Sequence, residues 1–399
     1  MKPFILPLAI AFMAFSCGSS KPQTPEEPEQ PETPVSDYAQ KASLTKEETA
    51  LYSDELITHW KDSVVNALQE SFQNKVLKMG SYSMRVWWTF YGTLPKDGRP
   101  LYISLHGGGG TTPSTNDQQW NNQKTLYKPT DAVYLCPRAI TNTWDLHFVP
   151  EADAFYEEII HYAVAAWEVN PNKVYLMGYS AGGDGVWRLA PRMADHWAAA
   201  SMMAGHPGDV RLEGLRNTPF MIWCGADDSA YNRNEECAKR IKEMDALQAA
   251  DPEGYIHEGH IVEGKGHWMD LEDAAAVPWM AQYARNPYPQ RVVWCQGDVM
   301  KEAFYWLGAP LSEAKKGMMV AAHIDKAANT VVIEDCDYPS LTIYLNDNLV
   351  DLDKPVKVVK GGKVLFEGSL TRSPKSMRAS LNARQDIGYI FPAQVTVTL

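Results

Sequence analysis

The chain is short of positive charge. Lysine and arginine together number 37 against 49 acidic residues, giving a formal net charge of −12, and no basic cluster offsets the deficit. Nucleic acid and anionic lipid are therefore not expected partners, because both are bound through concentrated cations. Cysteine is scarce, with 6 in 399 residues. No C-x-x-C occurs, and His257-Glu-Gly-His260 has the wrong interval for the zinc motif H-E-x-x-H, so neither a metal nor any other cofactor is expected. No apolar run beyond the first residues is long enough to span a membrane. No internal repeat recurs, which speaks against a propeller or solenoid. The glycines of His106-Gly-Gly-Gly-Gly110 are not followed by G-K-[ST], which excludes a phosphate loop of that type.

What is present at the N-terminus sets the expected compartment. Lys2 precedes an apolar run from Phe4 to Phe15, which ends in Ala14-Phe15-Ser16-Cys17-Gly18. The run is short for a membrane helix, and its end resembles a bacterial lipobox with Cys17 as the lipidated residue. The bland alternative is an ordinary secretory signal with a coincidental cysteine. Either way the mature chain is expected to be exported. The lipid would be its one contact with a membrane, on the periplasmic or cell-surface face. Residues 18–37 are rich in proline and glutamate; they cannot bury apolar surface and read as an extended tether. Cys136, Cys224, Cys237, Cys295 and Cys336 remain, an odd number. Buried thiols are the simpler reading, and no disulfide pairing is assigned.

With 45% apolar and 11% aromatic residues, the length suits one large domain and a smaller one. Over residues 38–287 a helical pattern from Ser43 to about Lys78 precedes apolar strand-like runs alternating with amphipathic helices. That alternation predicts a mostly parallel, doubly wound sheet. After Arg285-Asn-Pro-Tyr-Pro289 the texture changes to short strands separated by turn signals. Residues 288–399 are expected to form a small antiparallel β-sandwich.

The most informative stretch is Lys173 to Gly183. A buried strand runs into Gly178-Tyr-Ser-Ala-Gly182, and a helix follows from about Asp184. Strand, G-x-S-x-G and helix in that order form a nucleophile elbow, which lifts a serine hydroxyl above a sheet edge at a helix N-terminus. Ser180 is thus the candidate nucleophile. It needs a base, and the base an orienting acid, in the chain order Ser, Asp/Glu, His. His267 lies in the glycine-flanked loop Gly264-Lys-Gly-His-Trp268 after the last sheet strand, where the base is expected. Gly225-Ala-Asp-Asp228 supplies the acid after the strand Phe220 to Cys224. G-x-x-D spacing selects Asp228, with Asp227 as the fallback. An oxyanion would be met by the amide of Ala181 and one from the glycine run, Gly108 or Gly109. His106 is expected to support that loop from below. Trp120, Trp144 and His206 lie in polar or aromatic loops after strand ends and are candidate pocket residues, with core packing an equal alternative for the tryptophans.

Taken together, His106-Gly-Gly-Gly-Gly110, Asp117-Gln-Gln-Trp120, Gly178-Tyr-Ser-Ala-Gly-Gly-Asp-Gly185, Leu189-Ala-Pro-Arg-Met-Ala-Asp195, Met203-Ala-Gly-His-Pro207, Ala230-Tyr-Asn-Arg-Asn234 and Gly264-Lys-Gly-His-Trp-Met269 resemble a known group. It is the bacterial secreted α/β-hydrolase esterases, of the poly(3-hydroxybutyrate)-depolymerase-like and feruloyl- or acetyl-esterase-like kind. The resemblance runs from about Ser43 to the C-terminus and implies the α/β-hydrolase fold and a Ser180–Asp228–His267 triad. It does not imply a substrate. The expected activity is serine-dependent hydrolysis of carboxylic esters, with acetyl or feruloyl groups on plant cell-wall polysaccharide as leading substrates. Two rivals are an exported serine peptidase of prolyl-oligopeptidase type and an inactive hydrolase body that captures glycans.

Overall fold

The computed structural model describes residues 36–399. Cys17, the apolar run before it and nearly all of the proline-rich stretch lie outside those residues. Helix α1 (Lys46–Gln73) opens on a capping box at Thr45, not at Ser43. The Thr45 hydroxyl accepts the Glu48 amide at 3.2 Å, and the Glu48 carboxylate accepts the Thr45 amide at 3.0 Å. The helix ends earlier than its pattern suggests. Lys75 turns left-handed at φ 57°, and the next residues leave as β1 (Val76–Met79) to pair with β2 (Tyr82–Phe90).

The sheet continues with β3 (Arg99–Leu105), β4 (Val133–Pro137), β5 (Val169–Tyr179), β6 (Ala199–Met203), β7 (Phe220–Gly225) and β8 (His257–Val262). Its spatial order is β1-β2-β4-β3-β5-β6-β7-β8. Strand β2 runs antiparallel to both neighbours, and β4 through β8 are parallel. This is the α/β-hydrolase fold. The central strands are apolar on both faces because helices cover both. Leu101, Ile103 and Leu105 face one core and Tyr102 the other, and Val174 and Leu176 alternate in the same way with Tyr175 and Met177.

The connecting helices are α2 (Pro113–Leu126), α3 (Ala152–Ala166), α4 (Ala181–Arg192), α5 (Arg233–Ala250) and α6 (Ala276–Met280). Helix α2 corrects the expectation of a loop around Trp120. Its sequence is polar, but Thr112 caps it and Pro113 occupies its first turn, where a missing amide costs nothing. Strand β6, Ala-Ala-Ser-Met-Met, has no β-branched residue, so its local sequence does not mark a strand; pairing between β5 and β7 makes it extended. Over residues 271–283 the only helical elements are a 3₁₀ turn (Glu272–Ala275) and the five residues of α6.

The remaining strands are β9 (Arg291–Cys295), β10 (Ala303–Phe304), β11 (Leu307–Gly308), β12 (Met319–Asp325), β13 (Thr330–Cys336), β14 (Ser340–Leu345), β15 (Val356–Lys360), β16 (Lys363–Gly368) and β17 (Ala393–Thr398). They form two sheets, β16-β15-β13-β12-β9 and β10-β11-β14-β17, whose alternating apolar residues share one core. Two features depart from the expected antiparallel sandwich. The chain crosses to the second sheet as β14 and returns, so β13 and β15 pair in parallel. Before β17 it forms a helix, α7 (Pro374–Arg384).

A buried polar cluster joins the two bodies at the far end of α4. The Asp195 carboxylate pairs with Arg384 and with His196 Nδ1 at 3.0 Å. Its carbonyl accepts from Arg285 Nη1 and the Tyr389 hydroxyl, both at 2.7 Å. Arg285 in turn makes a two-point contact with Asp386, at 2.5 and 3.1 Å.

Candidate active site

The elbow forms where the sequence places it. Strand β5 ends at Tyr179, Ser180 takes φ 57° and ψ −122°, and α4 starts at the next residue. That backbone is strained for any residue with a side chain. Its surroundings leave no slack. A Cβ on Gly178 would strike the Gly182 backbone, and one on Gly182 would strike the Leu105 carbonyl. The Ser180 amide is anchored to the Met203 carbonyl at 2.9 Å.

Three loops at the carboxyl ends of β5, β7 and β8 then converge. Ser180 Oγ lies 2.9 Å from His267 Nε2, and His267 Nδ1 lies 2.8 Å from Asp228 Oδ2. Asp228 is buried, 2% exposed, whereas Asp227 is exposed. Burial pushes the Asp228 carboxyl up, but the hydrogen bond and charge of His267, together with Arg233, bring it below its ordinary value. It is a carboxylate at neutral pH.

Two positioning groups emerge that the sequence reading had not assigned. Arg233 Nη1 donates to Asp228 Oδ1 at 3.1 Å, holding the oxygen that does not face the histidine. The Tyr179 hydroxyl donates to the His267 carbonyl at 2.5 Å and accepts the Met269 amide at 3.3 Å. It ties the histidine loop to the residue before the nucleophile. Arg233 stood within one of the sequence blocks that carry the resemblance, but nothing in its local pattern pointed to the acid.

The glycine run lies beside the serine. A Cβ on Gly107 would sit 3.3 Å from Ser180 Cβ. Of the two glycines that are alternatives for the second oxyanion donor, Gly109 already gives its N–H to Asn116 Oδ1 at 3.1 Å and is not available to an oxyanion. The Gly108 amide makes no hydrogen bond among the described residues. Asn116 Oδ1 would also collide with any Cβ at Gly108, where φ is +117° and glycine is the natural occupant. Ala181, the first residue of α4, contributes an amide at the positive end of the helix. His106 supports the loop as expected. The Ala139 amide donates to its Nε2 at 3.1 Å, so Nδ1 carries the proton, facing the Gly107 carbonyl at 2.6 Å. Burial first, then His147, keeps it neutral. His147, buried below it, is held down to about 3 by the same desolvation.

A cleft of about 740 Å³ opens beside Ser180 and His267, lined by Gly107, Gly108, Gln119, Tyr179 and Trp268 among others. Trp120 is not part of it. Its indole donates to the Cys136 carbonyl at 2.9 Å within the core, with Lys124 and Arg85 over the ring. Trp144 and His206 line a separate, smaller cavity with Asp184, Tyr231 and Arg233. No group of residues suited to a metal ion is found among the described residues.

No family model matches the chain. The protein named Putative esterase NocK, of Nocardia uniformis subsp. tsuyamanensis, is 30% identical over 130 residues, covering 30% of this chain and 37% of that one. The chain thus spans little more than a third of that relative's length. Among solved structures, a thermostable esterase has 19% identity and a TM-score of 0.41, over 53% of this chain and 62% of its own. Est1E from Butyrivibrio proteoclasticus, with ferulic acid bound, has 15% identity and a TM-score of 0.33, over 52% of this chain and 98% of its own. Likeness at this level carries no chemistry.

Proposed function

We propose that this protein is a serine-dependent hydrolase of carboxylic esters, acting on acyl groups of polysaccharide such as acetyl or feruloyl esters. The observation that carries the reading is the unbroken hydrogen-bonded line Ser180–His267–Asp228 beside the open amide of Gly108 and the helix terminus at Ala181. The partial likeness to an esterase supports it.

In this reading His267 Nε2 takes the Ser180 proton as Oγ attacks the ester carbonyl. Asp228, ionised and buried, keeps Nδ1 protonated and balances the imidazolium. The carbonyl oxygen becomes an oxyanion facing Ala181 and Gly108, where each preorganised donor contributes on the order of 10²–10³ in rate. His267 then hands its proton to the departing alcohol, and water repeats the sequence to free Ser180.

Replacing the nucleophile tests this directly. Ser180→Ala should fold as the parent, by circular dichroism, and lose on the order of 10⁴–10⁶ in kcat on p-nitrophenyl acetate. Retention of more than about a tenth of the parent rate would sink the assignment.

A further inference from the structure

Apart from Arg233, which also holds Asp228, the smaller cavity is lined by side chains that the acyl chemistry does not use. It holds about 260 Å³, just under the usual ~300–1,000 Å³ of drug-sized pockets, so it suits one ring. Its walls are two aromatic side chains that the fold leaves in solvent: Trp144 and Tyr231 are each 63% exposed. Their rings meet edge to face at 6.1 Å. Two adjacent aromatics left this exposed beside the nucleophile offer apolar ring surface to a ligand. Tyr231 is also set there at some strain, since it and Asn232 are successive left-handed residues at φ 58° and 56°.

The floor is polar, and three groups on it have hydrogen-bonding capacity left over. Asp184 accepts the His206 amide at 2.6 Å on Oδ1, and its Oδ2 has no partner among the described residues. His206 Nδ1 accepts the Gly208 amide at 3.0 Å, which leaves the proton on Nε2, and that N–H has no partner among the described residues. Arg233 commits Nη1 to Asp228 and the Ala230 carbonyl, and its Nη2 makes no hydrogen bond among the described residues. An acceptor and several donors therefore border a space walled by the two rings.

The cavity adjoins the reacting centre. A Cβ built on Gly109 would lie 3.0 Å from Trp144 Cε3 and 3.8 Å from Ala181 Cβ. On the other side Arg233 Nη1 is 3.5 Å from His267 Nδ1, and the Asp184 amide donates to the Ser180 carbonyl at 3.0 Å. The larger cleft is lined directly by Ser180 and His267, and the smaller cavity neighbours them through Asp184 and Arg233.

We infer that the Trp144–Tyr231 cavity is the subsite for a polyhydroxylated ring, the sugar whose hydroxyl carries the ester, while the larger cleft receives the acyl group. The inference rests on the hydrolase reading for its place in the reaction. A sugar presents C–H faces to the aromatics and hydroxyls to Asp184, His206 and Arg233. An aryl ring would satisfy the walls and leave the floor desolvated and unpaired, which is unfavourable.

The test compares kcat/KM on acetylated xylo-oligosaccharide, p-nitrophenyl acetate and methyl ferulate for the parent, Trp144→Ala and Tyr231→Ala. A second arm titrates Ser180→Ala with unesterified xylotriose by tryptophan fluorescence. The ratio of sugar-ester to p-nitrophenyl-ester kcat/KM should fall about tenfold in each variant, mainly through KM. The fluorescence change should saturate and vanish in Ser180→Ala/Trp144→Ala. A ratio within threefold of the parent in both variants overturns the inference, and so does a selective loss on methyl ferulate. If the parent cleaves no ester at all, the hydrolase reading fails separately and the titration decides: a saturable, Trp144-dependent signal supports the sugar subsite, and its absence overturns it.

Discussion

Asp227 and Asp228 are neighbours in the chain and face opposite environments. Asp228 sits buried between His267 and Arg233. Asp227 turns its side chain to solvent, while its amide binds the Lys265 carbonyl at 2.9 Å and so joins the acid loop to the histidine loop. Only one of the two carboxylates can hold the Nδ1 proton. Asp228→Asn should therefore lower kcat by up to about 10⁴-fold, because an amide can stabilise the wrong imidazole tautomer. Asp227→Asn should stay within about threefold, since an exposed charge facing solvent contributes little. Steady-state kinetics of both on p-nitrophenyl acetate decide it, and a larger loss at Asp227 would reverse the assignment. The spacing from Gly225 already favoured Asp228. The clamp by Arg233 was not readable, because it depends on how α5 packs beside the loop.

The elbow is built by three elements pressed together: β3, β5 and the first turn of α4. Gly178 and Gly182 are required by proximity, not by backbone conformation, as neither has a positive φ. A methyl at Gly182 would meet the Leu105 carbonyl and, at 3.0 Å, the His106 carbonyl. Backbone cannot rotate away as a side chain could. Gly182→Ala should thus destabilise by about 1–3 kcal/mol or more and shift Ser180 off its line to His267. Urea denaturation measures the first effect and kcat on a small ester the second. A variant with unchanged midpoint and unchanged kcat would show that the elbow is roomier than these contacts indicate.

For the molecule as a whole, the second body grips the far end of the helix that presents the nucleophile. Asp195, two residues beyond the helix's C-cap Met193, is held by Arg384 and Tyr389 from the C-terminal region and by Arg285 at the junction. The Tyr305 hydroxyl donates to the neighbouring Ala194 carbonyl at 3.0 Å. Burial alone would raise the Asp195 carboxyl, and His196, Arg384 and Arg285 pull it well below its ordinary value. Truncation after Pro289 would remove Tyr305, Arg384, Asp386 and Tyr389 together. Stranding a buried charge costs about 3–5 kcal/mol, a large part of the ~5–15 kcal/mol that holds a domain folded. The truncated chain should be insoluble or molten. The milder Arg384→Met should lower the thermal midpoint by at least about 5 °C, with kcat on p-nitrophenyl acetate within threefold of the parent. A soluble, cooperatively folding truncate with parental stability would contradict this role. A folded truncate with kcat below a hundredth of the parent would assign the C-terminal region a part in the active site.

Some of this was fixed by residues close together in the chain, and some by contacts between distant ones. G-x-S-x-G between an apolar strand and a helix specifies its turn locally, through glycine's small size and the helix terminus. The sheet could be anticipated because runs such as residues 101–105 are apolar along nearly their whole length and alternate with amphipathic helices, as strands covered on both faces must. Other outcomes turn on long-range packing, which a linear pattern does not carry. Trp120 and Trp144 look alike in sequence, yet α2 packs one into the core and the Gly109–Gly110 loop holds the other in solvent. Gly108 and Gly109 look alike too, until Asn116 from α2 folds back and occupies one amide. The parallel pairing of β13 with β15 and the placing of Arg233 beside Asp228 have the same origin. Each requires knowing which segments become neighbours in space, and only the folded chain decides that.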